Sequence, residues 1–206
     1  MIKIVDNSVV KHFLTILRDK NTPSPQFRNA VNIISSCVAV EAAKSLPTDS
    51  FLVETPLDVT SGYRISGRII LFPILRSGLG MRSSFLDILP MSIVGYHGLK
   101  RNEEKLGVIE EYYYSVPDIK TTDRIIVLDP MIATGNSICA SLSGLQLSGA
   151  EHISICSVIS APIGIEKILT DYPNVEIFTC SLDKGLNSAN YIVPGLGDAG
   201  DRINGC

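Results

Sequence analysis

Apolar positions recur at helical spacing over the first quarter of the chain. Val9, Val10, Phe13, Leu14, Ile16 and Leu17 form one face, and Phe27, Ala30, Val31, Ile34, Val38 and Ala42 form a second. Steps of three and four residues predict two helices within residues 8–45. Thr22-Pro23-Ser24-Pro25 separates them, with Ser24 as the expected N-cap and Pro25 at the first helical position. Residues 51–59 and 63–66 read as short strands around Ser61-Gly62. From residue 68 short apolar runs alternate with helical ones. Strands are expected over 68–74, 92–96, 124–128, 153–159 and 175–179, and helices over 79–89, 137–147 and 162–170. Residues 97–118 are polar and Tyr-rich, an excursion that suits a β-arm. The alternation predicts an α/β fold: a mainly parallel twisted sheet flanked by helices, with an N-terminal helical segment and a protruding arm. No repeat, linker or low-complexity stretch divides the chain, so residues 1–206 are read as one domain. Ligands of such a sheet bind beyond the carboxyl ends of its strands, which directs attention to the loops after residues 74, 96, 128 and 179.

Composition narrows the function classes. Apolar residues at 45% argue against a disordered chain. Charged residues at 19% fall below the usual share, a weak pointer to surface hidden in an oligomer. A net charge of −3 disfavours nucleic-acid binding, which needs a basic patch. Apolar runs such as Ile69 to Leu75 are too short to span a bilayer, and the opening Met1-Ile2-Lys3-Ile4-Val5-Asp6 carries no apolar signal core. The expectation is a soluble, cytoplasmic protein without a membrane partner. Cys37, Cys139, Cys156, Cys180 and Cys206 are odd in number and form no Cys-x-x-Cys pair, and the first three of these, Cys37, Cys139 and Cys156, read as small core residues. His12, His97 and His152 have no metal-ligand spacing.

Two strand-to-helix loops carry candidate chemistry. After Leu128 come Asp129-Pro130-Met131-Ile132-Ala133-Thr134-Gly135-Asn136-Ser137 and a helix. The unpaired amides of a helix N-terminus suit a phosphate. Thr134 and Ser137 add hydroxyl donors, Gly135 permits close backbone approach, and Asp129 offers an acceptor for sugar hydroxyls. An N-capped helix after an ordinary loop explains the same string equally well on physics alone. The P-loop pattern is missing, so nucleoside triphosphate hydrolysis is not supported. After Ile74, Leu75-Arg76-Ser77-Gly78-Leu79-Gly80 places a guanidinium fork and two glycines at the next such junction, a combination that fits a diphosphate. A lone Arg in a turn is the plainer alternative.

The string Tyr191-Ile192-Val193-Pro194-Gly195-Leu196-Gly197-Asp198-Ala199-Gly200-Asp201-Arg202 is the most specific in the chain. Gly195, Gly197 and Gly200 satisfy Gly-x-Gly-x-x-Gly, but only six residues follow, so no strand–helix–strand unit fits and the dinucleotide reading is rejected. A curled, glycine-rich backbone offers amides and carbonyls that match a base such as uracil, and such a site rejects bases with the wrong donor pattern.

Taken together, these strings resemble the uracil phosphoribosyltransferases, and the resemblance spans essentially the whole chain. Leu128-Asp129-Pro130-Met131 with Ala133-Thr134-Gly135 is similar to that family's version of the phosphoribosyl-diphosphate loop. The Arg76 string is similar to its diphosphate loop, and Lys100-Arg101-Asn102-Glu103-Glu104 to the Arg-Asn-Glu segment of its arm. The resemblance implies conversion of uracil and phosphoribosyl diphosphate to UMP and diphosphate, with Mg2+ held through substrate oxygens and water. It implies that Arg76 and Arg101 clamp the diphosphate, and that residues 129–137 bind the phosphoribosyl moiety. Ile192, Gly197 and Ala199 would hold uracil by main-chain groups within a base-binding segment over 180–206. Asp198 would lie where base and ribosyl moiety meet and orient or deprotonate the base. The arm would close over the site and help build a homodimer or higher oligomer, and a nucleotide such as GTP would be a possible effector. The opening also fits, with Leu17-Arg18-Asp19, Phe27-Arg28 and Glu41-Ala42 given structural roles. Departures are Asn136 for a usual glycine, tolerated because Asn accepts a positive φ, Ser83-Ser84 for Asp-Gly, Asn204 for an aromatic behind the base pocket, and Cys206 for a threonine. Two alternatives stay open: the same chemistry on another base, and a non-catalytic relative that binds phosphoribosyl diphosphate or UMP as a signal.

Overall fold

The computed structural model describes residues 1–101 and 109–206; residues 102–108 and the side chains of Arg101 and Ile109 lie outside the described residues. In chain order the elements are β1 (Ile2–Ile4), α1 (Ser8–Arg18), α2 (Ser24–Ala43), β2 (Thr48–Glu54), β3 (Val59–Ile65), β4 (Ile69–Leu75), α3 (Leu79–Ile88), β5 (Ile93–Val94), β6 (Tyr96–Arg101), β7 (Ile109–Ser115), β8 (Arg124–Leu128) and β9 (Met131–Ile132). They continue with α4 (Asn136–Leu147), β10 (His152–Cys156), β11 (Ile159–Ser160), α5 (Pro162–Asp171), β12 (Glu176–Thr179), β13 (Ser181–Leu182), β14 (Gly185–Leu186), β15 (Ile192–Val193) and α6 (Ala199–Asn204).

The main sheet runs β1-β12-β10-β8-β4-β6-β7, with β5 also on β4, and every pairing is parallel except β6–β7. Both faces are covered, so its central strands read as unbroken apolar runs rather than alternating ones. Successive side chains of β4 still part to opposite faces. Ile69 and Leu71 join a core with Leu17, Phe27, Ile34, Phe85 and Phe178, under α1, α2 and α3. Ile70 and Phe72 join Val127, Leu142, Leu145, Ile155 and Ile168, under α4 and α5.

Several boundaries differ from the sequence expectation. Ser24 is the first helical residue of α2 rather than its N-cap; Pro23 is the cap, in an extended conformation, and supplies no side-chain hydrogen bond. The first hairpin turns at Thr55 to Asp58, where Thr55 and Asp58 bond each other, and Ser61-Gly62 lies inside β3, paired with Leu52 and Phe51. The expected strand over 153–159 breaks at Ser157-Val158. The same interruption recurs after β8 and β12, and the chain resumes beyond it as a small parallel sheet in the order β13-β11-β9. β1 leaves no signal in the sequence pattern, because three residues are too few to show a period. Cys156 and Cys180 are buried, while Cys37 and Cys139 are only half-buried. Among the described residues no helix is long and apolar enough to cross a membrane.

Candidate active site

The carboxyl ends of β4 and β8 lie side by side, because the two strands pair from Ile69↔Arg124 to Pro73↔Leu128. Their loops are therefore neighbours. Gly78 makes the contact possible: a Cβ there would lie 2.4 Å from the Leu128 carbonyl oxygen and 2.7 Å from that of Ile74. So Gly78 serves loop-to-strand packing, a more specific duty than the anion approach expected of it. A hydrogen bond ties the two loops directly, from Ser77 Oγ to Asp129 Oδ1 at 3.1 Å. Asp129 is 9% exposed, and its amide donates to the Cys156 carbonyl. Arg76 is exposed on the same loop and pairs with no described acidic residue.

Pro130 accepts hydrogen bonds at its carbonyl from the amides of Val158 and Ile159, which seats the start of the second loop. Met131 and Ile132 form β9, so this stretch is a strand where an irregular loop was expected. Ala133, Thr134 and Gly135 then turn the chain into α4. Gly135 has φ +80° and is the N-cap, contributing no side chain of its own, while the Asn136 amide donates to Thr134 Oγ1 at 3.4 Å. Asn136 is the first helical residue, so the positive φ falls on Gly135 and Asn136 needs no left-handed conformation. Its side chain has a different use: Asn136 Oδ1 accepts a hydrogen bond from Lys167 Nζ of α5. Ser137 follows, half-buried in the first turn. Asp129 and residues 133–137 thus stand at one strand end, beside Arg76.

The C-terminal ribbon is held by residues that carried no chemical signal in the sequence. Asp183 accepts from both Arg18 guanidinium nitrogens at 2.6 and 2.8 Å, from Ser181 Oγ at 2.7 Å and from the Gly195 amide at 2.9 Å. Burial alone would raise its carboxyl; the hydrogen bonds from Arg18, Ser181 and Gly195 outweigh that and hold it below the usual carboxylate range. Arg202 stacks on Phe27 at 4.3 Å and donates to the carbonyls of Leu17, Asp19 and Leu196. Arg28 donates to the carbonyl of Ile203. The structural roles expected for Arg18, Phe27 and Arg28 therefore amount to clamping this ribbon.

Within the ribbon, Ile192 is buried in β15, paired with Leu186; Gly197 is exposed with φ +81°; Ala199 is buried at the start of α6. Asp198 is half-buried and caps α6, its Oδ1 accepting from the Asp201 amide at 3.0 Å. The glycine motif opens a short helix, but an antiparallel two-strand ladder precedes it and there is no strand–helix–strand unit around it among the described residues. α6 packs on α2, and its Ile203 lies against Gly80, two residues past Gly78, which brings the ribbon beside the Arg76 loop. Asn204 is exposed and bonds back to the Gly200 carbonyl; Ile203, not position 204, fills the packing behind the ribbon. The expected second clamp, Arg101, ends β6, and its side chain lies outside the described residues. A groove of about 790 Å³ lies at the amino ends of β8, β10 and β12, the opposite end of the sheet, lined by Arg124, His152 and Tyr172, and includes none of these residues.

A family model described as uracil phosphoribosyltransferase matches residues 4–206. The uracil phosphoribosyltransferases of Dictyoglomus thermophilum and Finegoldia magna are each 44% identical over 206 residues, covering 100% and 99% of this chain and 99% and 98% of their own. The solved structure of the AQ2163 protein from Aquifex aeolicus is similar with a TM-score of 0.92 at 31% identity, over 98% of this chain and 97% of that one. An adenine phosphoribosyltransferase from Thermoanaerobacter pseudethanolicus shares the fold alone, with a TM-score of 0.51 at 14% identity over 75% of this chain and 81% of its own. Matched over nearly its whole length, the chain belongs to the uracil phosphoribosyltransferase family.

Proposed function

We propose that the protein transfers the phosphoribosyl group of 5-phospho-α-D-ribose 1-diphosphate to uracil, giving UMP and diphosphate. The observation that carries this reading is the family match over residues 4–206, and the clamped glycine ribbon beside two neighbouring anion-type loops agrees with it. In the reaction a bond forms from uracil N1 to the anomeric carbon, the bond to diphosphate breaks with its electron pair leaving on oxygen, and N1 loses its proton. Positive charge develops on the ribose, so the protein's task is placement and electrostatics.

Each residue then has a role. Arg76 and Arg101 clamp the leaving diphosphate in bidentate fashion. The first-turn amides of α4, with Thr134 and Ser137, take the 5′-phosphate. Asp129, already held by Ser77, accepts from the ribose hydroxyls. Main-chain groups of Ile192, Gly197 and Ala199 read the base, and Asp198 orients or deprotonates it. Among the described residues no group of three or more His, Cys, Asp or Glu side chains could hold a metal ion. Mg2+ would enter with the diphosphate and water, which it prefers as ligands. Once bound, the ion neutralises charge on the leaving group.

Conversion of labelled uracil to UMP with phosphoribosyl diphosphate and Mg2+, beside cytosine, hypoxanthine and adenine, tests the reading; adding GTP to the same assay tests a nucleotide effector. Turnover of uracil alone is expected. Turnover of another base instead would overturn the base assignment, and binding of the sugar diphosphate without any turnover would make the protein a sensor.

A further inference from the structure

The root of the arm contains a buried polar group that the reaction above does not use. His97 lies on β6, paired with Ile74 of β4 on one side and with Tyr114 of β7 on the other. It is 1% exposed. Its Nδ1 is 2.8 Å from Ser141 Oγ on α4, and its Nε2 is 2.8 Å from Glu111 Oε2 on β7. The ring is edge-on to Tyr114 at 4.9 Å and tilted against Phe72 at 6.1 Å.

A β-bulge produces this arrangement. His97↔Tyr114 and Gly98↔Tyr113 are in register, but a shift between Gly98 and Leu99 places Leu99 opposite Glu111 rather than Tyr112. The extra residue turns the alternation of β7 by one. Glu111 therefore comes to the face that His97 and Leu99 share, and the Tyr112 ring lies over Gly98 instead. β6 pairs with β4 only at His97 and Gly98, so the bulge sits where the arm leaves the sheet. On the same face of α4, one turn after Ser141, Gly144 receives the Tyr114 ring.

We propose that His97 is a positioning residue for the phosphate loop, joining the root of the arm (through Glu111) to the helix whose N-terminus forms that loop (through Ser141). α4 is seated by apolar contacts through Ile138, Leu142 and Leu145 and tied to the α5 side by hydrogen bonds from Lys167 to Asn136 and from the Tyr172 hydroxyl to the Cys139 carbonyl; on the side of the arm its polar tie is Ser141. A buried imidazole bonded at both nitrogens adds a directional constraint, because a shift of α4 would leave a buried polar atom unpaired. Ser141 lies one and a half turns from Asn136, so an axial shift there moves the phosphate amides by the same amount.

The test rests on the proposed substrate and uses the full chain. Affinity for phosphoribosyl diphosphate is measured by calorimetry, and KM and kcat by steady-state assay, for Ser141→Ala, Glu111→Ala and His97→Gln. Ser141→Ala is expected to weaken phosphoribosyl diphosphate about tenfold, with KM for uracil and kcat changed less than about threefold. Glu111 is mostly exposed, so Glu111→Ala should fold and shift the same constant in the same direction by less. His97→Gln should recover most of the affinity, because a carboxamide both accepts and donates. A fall in Tm with unchanged affinity in all three variants would reduce His97 to a core residue and overturn the proposal. Wild-type protein that fails to bind the sugar diphosphate would instead overturn the proposed function; hydrogen exchange in the first turn of α4, faster in Ser141→Ala than in wild type, then still reads the constraint on the helix.

Discussion

Asp198 has two duties that a substitution can separate. Its carboxylate caps α6, and in the proposed reaction it meets the base and the ribose. Asn keeps the capping oxygen and loses the charge. Asp198→Asn is therefore expected to leave Tm nearly unchanged and to lower kcat/KM for uracil about a hundredfold; an equal loss of Tm and activity would show that the cap is all that matters. Asp183 is the reverse case, a buried acid with no direct part in the chemistry. Its carboxyl, like that of Asp123 beside Arg68, lies below the ordinary carboxylate range. A lowered native value means that the unfolded chain binds more protons at acid pH, so stability rises with pH through that window. Thermal unfolding should thus be flat near neutrality and decline as the pH falls below about 4 and through the lowered values. Asp183→Asn should remove part of that decline and cost about 3 kcal/mol at pH 7, because Arg18 loses its partner. Asp129, Arg76 and Asp198 could be singled out in the sequence, since each stands in a string with recognisable chemistry. Asp183, Arg18 and Ser141 could not, because their partners are remote in the chain: 165 residues separate Arg18 from Asp183, and 44 separate His97 from Ser141.

Among the elements, those with long periodic patterns were legible, with small shifts at their ends. β8 occupies the expected residues, and α2, α3, α4 and α5 fall within a few residues of expectation. The errors share a physical cause, which is that pairing overrides local preference in short segments. β1 exists because Ile2–Ile4 add to the edge of β12, and β9, β11 and β13 exist because three interrupted strands resume together. Ser61-Gly62 looks like a turn, yet across from it stands Phe51, and a Cβ at Gly62 would lie 2.4 Å from Val53 Cγ2. There the glycine makes room for neighbouring side chains instead of reversing the chain. α6 escaped because six residues are too few for a helical period, and its start depends on an Asp198 cap that also reads as a turn residue.

For the whole molecule, the β2–β3 hairpin is the feature that one chain leaves incomplete. It pairs with no other strand among the described residues, and Leu52, Leu57, Val59 and Tyr63 on it are 76%, 96%, 55% and 71% exposed. A two-stranded hairpin is at best marginally stable in water, so a surface of this kind is expected to be covered by a second copy of the chain. Sedimentation of wild type should give a dimer or larger assembly, and Leu52→Asp with Leu57→Asp should shift it toward monomer while the far-ultraviolet spectrum is kept; a wild-type monomer would refute the assignment. The sequence by itself determined the fold class, because buried parallel strands need continuous apolar runs, and it marked the candidate loops and the glycine ribbon, because loop chemistry is local in the chain. Tertiary structure alone decided how those parts are held: the Gly78 contact that joins two loops, the Arg18–Asp183–Gly195 clamp on the ribbon and the bulge that presents Glu111 to His97. Each joins elements that meet only after the sheet has formed, and no local pattern specifies the distance at which two such elements will pack.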